Sequence, residues 1–268
     1  MNKYLGLLIF LSLGLLRLQG QGTTDAQRYR AKSGEIFFHS ADSEQANRFA
    51  LPARAGIENA VGGLHDLVQI SIETALKDNP TSDSIESMLR NLQGEVSLNS
   101  IYPEWSNIPF ADVANINGTQ VLASAFAVLS GGIGIPEIRP YVQFYSKASG
   151  TWMLVAEVGT EFAGTAFSMN AVRSAVPGEL WYLVWGRAIG DTGARLKMSL
   201  YALDGRQTRT VWQRENIRGG TVEVSHDEIT LDYFEPMADG IAPPRHLRET
   251  LRPGQTGLET FKTEYLDQ

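Results

Sequence analysis

The sequence predicts a mainly β protein: two blade-like antiparallel sheets packed as a β-sandwich or flattened barrel, preceded by a short two-helix region. Three observations carry this. Apolar residues recur at helical spacing from Leu64 to Leu92, then switch to a period of 2 beyond Pro103. From Ile108 to Glu235, short strand-like runs alternate with Gly-rich or polar turns. Two of those runs, Val121–Leu129 and Leu180–Trp185, are apolar on both alternating faces, the pattern of central strands covered on both sides.

Residues 1–22 read as a secretory signal peptide. Lys3 supplies the positive start, Leu5–Leu16 an apolar run interrupted only by Gly and Ser, and Gly20-Gln21-Gly22 the small residues of a cleavage site. That run is shorter than the roughly 20 apolar residues of a spanning helix, and no later segment of the mature chain is long and apolar enough to be a transmembrane span.

Residues 23–107 form an N-terminal irregular and helical region. From Thr23 to Arg54 the chain is polar apart from Ile36-Phe37-Phe38 and is read as irregular. Leu64, Leu67, Val68, Ile72, Ala75 and Leu76 then share one helical stripe, with Gly62-Gly63 as its start and Asn79-Pro80 as its stop. A second helix opens at Asp83, whose carboxylate can cap free N–H groups while Glu86 reaches back; Ile85, Met88, Leu89 and Leu92 form its stripe and Gly94 ends it.

Residues 108–236 form the antiparallel β domain. Its nine expected strands are Gln120–Leu129, Tyr141–Ser146, Trp152–Val158, Ala166–Val172, Leu180–Gly186, Leu196–Leu203, Thr208–Glu215, Thr221–Ser225 and Glu228–Tyr233. Laid over one another they suggest a blade-like repeat: Gly118-Thr119 falls on Gly178-Glu179, Phe144-Tyr145 on Leu200-Tyr201, Glu157 on Glu215 and Gly164-Thr165 on Gly220-Thr221, at offsets of 56 to 60. Residues 237–268 return to Pro, Gly and charge and are read as a flexible tail. Leu247, Leu251 and Leu258 are too widely spread there for a second core, so truncation after Pro236 is expected to leave the melting temperature almost unchanged.

Composition removes several function classes. With 23 Lys+Arg, 30 Asp+Glu and no Cys, the chain has no thiolate chemistry, no disulfide and no thiolate zinc site. A net charge of −7 without a basic cluster argues against nucleic acid. The four His, at 39, 65, 226 and 246, show no metal-ligand spacing, and His65 beside Asp66 reads as a surface or cap residue. Walker, dinucleotide and Gly-x-Ser-x-Gly motifs are missing, so neither a cofactor nor a metal is implied.

What remains is an exported, non-enzymatic β-domain protein that binds or scaffolds a protein or an envelope glycan. Trp152, Trp181, Trp185 and Trp212 make the sheets rich in aromatics able to stack on sugars or anchor a partner. Trp212, on a half-polar face with Thr210 and Arg214, is the ring expected to be exposed, and Trp212, Tyr201 and Arg214 are the expected binding residues. The alternative is an exported carboxylate-dependent hydrolase using Asp191, His226, Asp227 and Glu228. Asp191-Thr192-Gly193-Ala194 resembles the signature of retroviral-type aspartic proteases, in which paired Asp residues activate water; here Gly190 precedes it and no second copy exists, so a hairpin turn is the better reading. His226-Asp227-Glu228 likewise falls between two strands, where a turn is required.

The export signal can be checked by the intact mass of protein recovered outside the cytoplasm. The expected product begins just after Gly22, and a mass that still includes Met1–Leu18 would make the segment a retained anchor.

Overall fold

The structure, a computed structural model, describes residues 24–33, 51–93, 108–129, 138–190, 193–225, 227–236 and 243–266. The signal segment, the Ile36-Phe37-Phe38 cluster, Asp191 and His226 lie outside the described residues. The protein is mainly β, with two antiparallel sheets of four and seven strands behind a short helical region.

Helix α1 (residues 25–33) contributes Tyr29, buried against the long helix α2 (Leu51–Ala75) and its neighbours. The sequence places the start of this helix at Gly62-Gly63, but it begins a dozen residues earlier, with Pro52 in the first turn where its missing N–H is harmless. Each internal Gly costs about 1 kcal/mol of helix propensity. Burial of Ala60, Val61, Leu64, Val68 and Ile72 outweighs that, and a Cβ on Gly63 would come within 3.3 Å of the Lys32 stem. Asn79, in the left-handed region at φ 51°, ends the 3₁₀ turn Leu76–Asp78 that follows.

Helix α3 (Ser82–Gln93) buries Ile85, Leu89 and Leu92 as the periodicity requires. Its N-terminal cap differs from expectation. Thr81 and Ser84 exchange side-chain bonds with each other's backbone N–H groups (2.9 and 3.2 Å), which frees Glu86 for another task. Glu86 accepts the backbone N–H of Ala111 (3.2 Å) and Ser82 accepts that of Val113 (2.8 Å). Both donors belong to an edge strand, so the helix satisfies the edge with side chains instead of a further strand.

That strand is β1 (Phe110–Ile116), followed by β2 (Thr119–Leu129), β3 (Ile138–Ala148) and β4 (Thr151–Val158), which form the first sheet in sequence order. Asn117-Gly118, at φ 51° and 85°, and Ser149-Gly150, at φ 53° and 84°, make the tight hairpin turns, whose two positive φ angles suit Asn and Gly. On β2, Leu122, Phe126 and Val128 face the helices while Val121, Ala123, Ala125 and Ala127 face the second sheet. The helices, the first sheet and the second sheet thus stack as three layers.

The second sheet comprises β5 (Ala166–Val172), β6 (Leu180–Gly190), β7 (Gly193–Leu203), β8 (Thr208–Val224), β9 (Ile229–Glu235), β10 (Arg245–Gly254) and β11 (Gly257–Tyr265), again a meander. The two runs expected at Thr208–Glu215 and Thr221–Ser225 are one bent strand. Its first part pairs with β7 up to Arg218 and its remainder pairs with β9, with irregular register between Arg218 and Thr221 and left-handed backbone at Asn216 and Gly219. Through this bend the sheet turns back on itself.

The residues read as a flexible tail are strands β10 and β11, with Leu247, Leu251 and Leu258 buried in the main core. Those leucines are spread out in sequence because Leu247 and Leu251 lie on β10, where every second side chain points to the same face, and Leu258 lies on β11; they share a core with Leu231 and Ile229 instead of making one of their own. The expected effect of truncation is therefore reversed. Each buried Leu is worth about 1.5–3 kcal/mol against a total domain stability of about 5–15 kcal/mol. A chain ending at Pro236 should melt on the order of 10 °C lower or lose its cooperative transition, and Leu251→Ala should cost roughly 2–5 kcal/mol; thermal unfolding followed by circular dichroism measures both.

Candidate functional site

The three residues expected to bind do not converge. Tyr201 pairs across the ladder with Tyr182, and both rings pack near Phe144 of the first sheet. Its hydroxyl donates to Glu161 (2.9 Å), and burial, reinforced by the Glu161 charge, raises its pKa so that it stays a donor. Trp212 and Arg214 pair with Leu200 and Met198 and point to the opposite face. There Trp212 is partly buried, and Gly257 lies so close that a Cβ on it would be 2.8 Å from the Trp212 Cβ. Arg214 binds Glu249 and stacks 4.7 Å from the Tyr233 ring, while Tyr233 donates to the other Glu249 oxygen (3.1 Å). Trp212 is covered because the supposed tail is the hairpin that covers it, and Arg214 is a structural link between β8 and β10.

The hydrolase alternative fares differently. Asp227 and Glu228 line a cleft of about 580 Å³ with Arg173 and Arg252, at the end of the second sheet where three turns meet. Each already has a partner: Asp227 lies 3.5 Å from Arg173 and Glu228 accepts from Arg252 at 3.0 Å. These pairs tie the turn before β9 to its neighbours. Among the described residues no three His, Asp or Glu converge as a metal site would require, and no helix there is long and apolar enough to cross a membrane.

A second cleft, of about 420 Å³, opens where the end of α2 meets the β3–β4 hairpin. Glu73 and Lys77 line it from the helical side; Tyr145, Lys147, Trp152 and Leu154 line it from the hairpin. Lys147 and Trp152 are direct cross-strand partners, with the ammonium 5.8 Å from the indole centroid. The Lys147 Nζ donates to Asn79 (3.0 Å) and Gln120 (3.1 Å), both neutral amide oxygens. The Trp152 Nε1 is buried and has no hydrogen-bond acceptor.

Behind the cleft runs a polar chain that holds helix to sheet. Tyr145 donates to Gln143 Oε1 (2.9 Å), Gln143 Nε2 donates to Glu157 (2.6 Å), and His65 Nε2 meets the same Glu157 oxygen at 2.8 Å. A carboxylate can only accept, so the Nε2 of His65 carries a hydrogen. Burial first, then the charges of Glu73 and Glu157, raises the Tyr145 pKa and keeps its hydroxyl protonated for this chain. The His65 ring also packs 4.6 Å from that of Tyr141. His65 is thus neither cap nor loose surface residue but a cross-link from the middle of α2 to β4. Its partner 92 positions away is not readable from local sequence. The one available signal for the cleft was Trp152-Met153-Leu154-Val155, four apolar residues on a strand whose alternate positions should be polar.

No protein-family model and no curated protein sequence matches the chain. Among solved structures it is similar to the α-L-arabinofuranosidase Arb93A of Fusarium graminearum in complex with an iminosugar inhibitor, at 12% identity and a TM-score of 0.26, and to a point mutant of that enzyme with an iminosugar inhibitor, at 11% and 0.28. Each likeness covers 59% of this chain, which spans about half (48%) of the length of that enzyme. Neither bears on the fold or the chemistry of this chain.

The structural reading of Arg214 has a direct test. Arg214→Ala leaves the Glu249 carboxylate, only 12% exposed, without its cation, which should cost about 2–4 kcal/mol in urea unfolding. A change within about 0.5 kcal/mol, the range of surface substitutions, would return Arg214 to the list of binding residues.

Proposed function

We propose that the protein is an exported, non-enzymatic binding protein, and that the cleft between the end of α2 and the β3–β4 hairpin holds its ligand, a glycan or a segment of protein. The observation that carries this reading is Trp152, a partly buried indole on the wall of a cleft, set across the ladder from Lys147. The cleft volume lies within the range of small-ligand sites, and its mixture of aromatic wall and a few charged groups is the usual composition of one. Export is supported by the pattern of residues 1–22.

The carboxylates of the alternative reading already serve as arginine partners at the other cleft, an arrangement suited to fixing turns. The two readings separate in one experiment: calorimetric titration of the purified protein with soluble cell-envelope polysaccharide, with an assay for new reducing ends on the same samples. Saturable heat that weakens about tenfold or more in Trp152→Ala, without new reducing ends, is the expected result; tenfold corresponds to about 1.4 kcal/mol. Reducing ends that vanish in Asp227→Asn or Glu228→Gln would put the hydrolase in its place.

A further inference from the structure

The charges around the cleft narrow the ligand class. Lys77 and Lys147 face it with a single carboxylate, Glu73, so the opening is net positive in a chain whose net charge is −7. Among the described residues, no carboxylate pairs with either lysine. The hydrogen bonds of Lys147 end on the neutral amides of Asn79 and Gln120, which position the ammonium without neutralising it. Glu73 is partly engaged, accepting from Gln69 at 2.8 Å. A cationic recess on an acidic surface concentrates anions. An ammonium that approaches a carboxylate inside a partly dry cleft makes a charge-assisted bond stronger than a neutral one.

The other wall selects the body of the ligand. Trp152 and Leu154 present one aromatic ring and one apolar side chain, above the buried Tyr145 and beside the amides of Asn79 and Gln120 and the spare oxygen of Glu73. A ring for stacking, with amide and carboxylate groups nearby able to bond hydroxyls, suits a sugar ring.

We propose that the cleft binds an acidic glycan, with a uronate-type carboxylate on Lys77 and Lys147 and its ring against Trp152. The proposal rests on the binding function argued above and deepens it. The test is calorimetric titration with an oligogalacturonate in calcium-free buffer, beside the same oligosaccharide with its carboxyl groups reduced to alcohols. The acidic form is expected to bind at least about tenfold more tightly, with an affinity that falls as salt rises. That preference should disappear in Lys77→Gln and in Lys147→Gln and persist in Lys147→Arg. Lys77 is exposed, so its substitution leaves folding intact even if Lys147→Gln does not.

Equal or tighter binding of the neutral oligosaccharide, still lost in Trp152→Ala, would overturn the acidic-ligand proposal while leaving the binding function standing. Tighter binding of a peptide ending in glutamate, with the same lysine dependence, would overturn the choice of glycan. Absence of heat with all three probes, together with no response to envelope polysaccharide, would remove the binding function and this proposal with it.

Discussion

Strands β2 and β3 carry apolar side chains on both faces, so the first sheet has to be covered twice. One face takes the helices, through Leu122, Phe126, Tyr141 and Tyr145; the other takes the second sheet, through Val121, Val142 and Phe144. This double burial fixes the order of layers and explains why an otherwise polar N-terminal region carries a 25-residue helix. It also sets the conditions for the polar chain at the helical interface. Gln143 and Tyr145 are fully buried there, so each must find a partner, and the sequence of bonds ends on Glu157 and His65 at the rim, where charge can reach solvent.

Strands β2, β3 and β4 of the first sheet were legible because their signals are local, whereas β1 (Phe110–Ile116) was not among the expected strands. Period-2 alternation, the Asn117-Gly118 turn and the doubly apolar run at Val121–Leu129 each sit within a dozen residues. The β10–β11 hairpin was illegible for a definite reason. Its outward positions hold Arg248, Arg252 and Lys262, and even an inward position holds Glu249, so its composition imitates a solvated tail. These charges belong to a ladder: Arg245 meets Glu235, Arg248 meets Asp232, and Arg252 meets Glu228, all across β9 and the turn before it. Only the register reveals that the opposite charges are partners. The misplacement of Trp212 is the same error seen from the other side, since the hairpin that went unread is what covers it.

The cleft was harder still, because its two walls come from separate parts of the chain. Residues 73–79 supply one and residues 145–154 the other. Nothing in either stretch names its counterpart. Helical periodicity assigns Glu73 and Lys77 to the solvated side of α2, which is true, yet the hairpin rises beside that side and turns an ordinary charged face into a wall. The aromatic residues were visible as a class, and burial decides which of them is available: Trp181 and Trp185 are core residues, whereas Trp152 is on an edge strand.

The meander topology has a consequence for assembly. Within each sheet, every strand after the first is hydrogen-bonded to the strand just before it in sequence, and the helices precede the sheet they cover. A chain growing from its N-terminus therefore presents a cover before the first strand, and within each sheet has a finished edge ready for the next strand. Ladder formation needs only short loop closures, which carry the smallest entropic penalty and favour rapid folding. The exception is the last hairpin, whose contacts with β8, at Trp212 and Arg214, close over 35 residues or more. Trp212 therefore stays uncovered until that hairpin has been made and has docked.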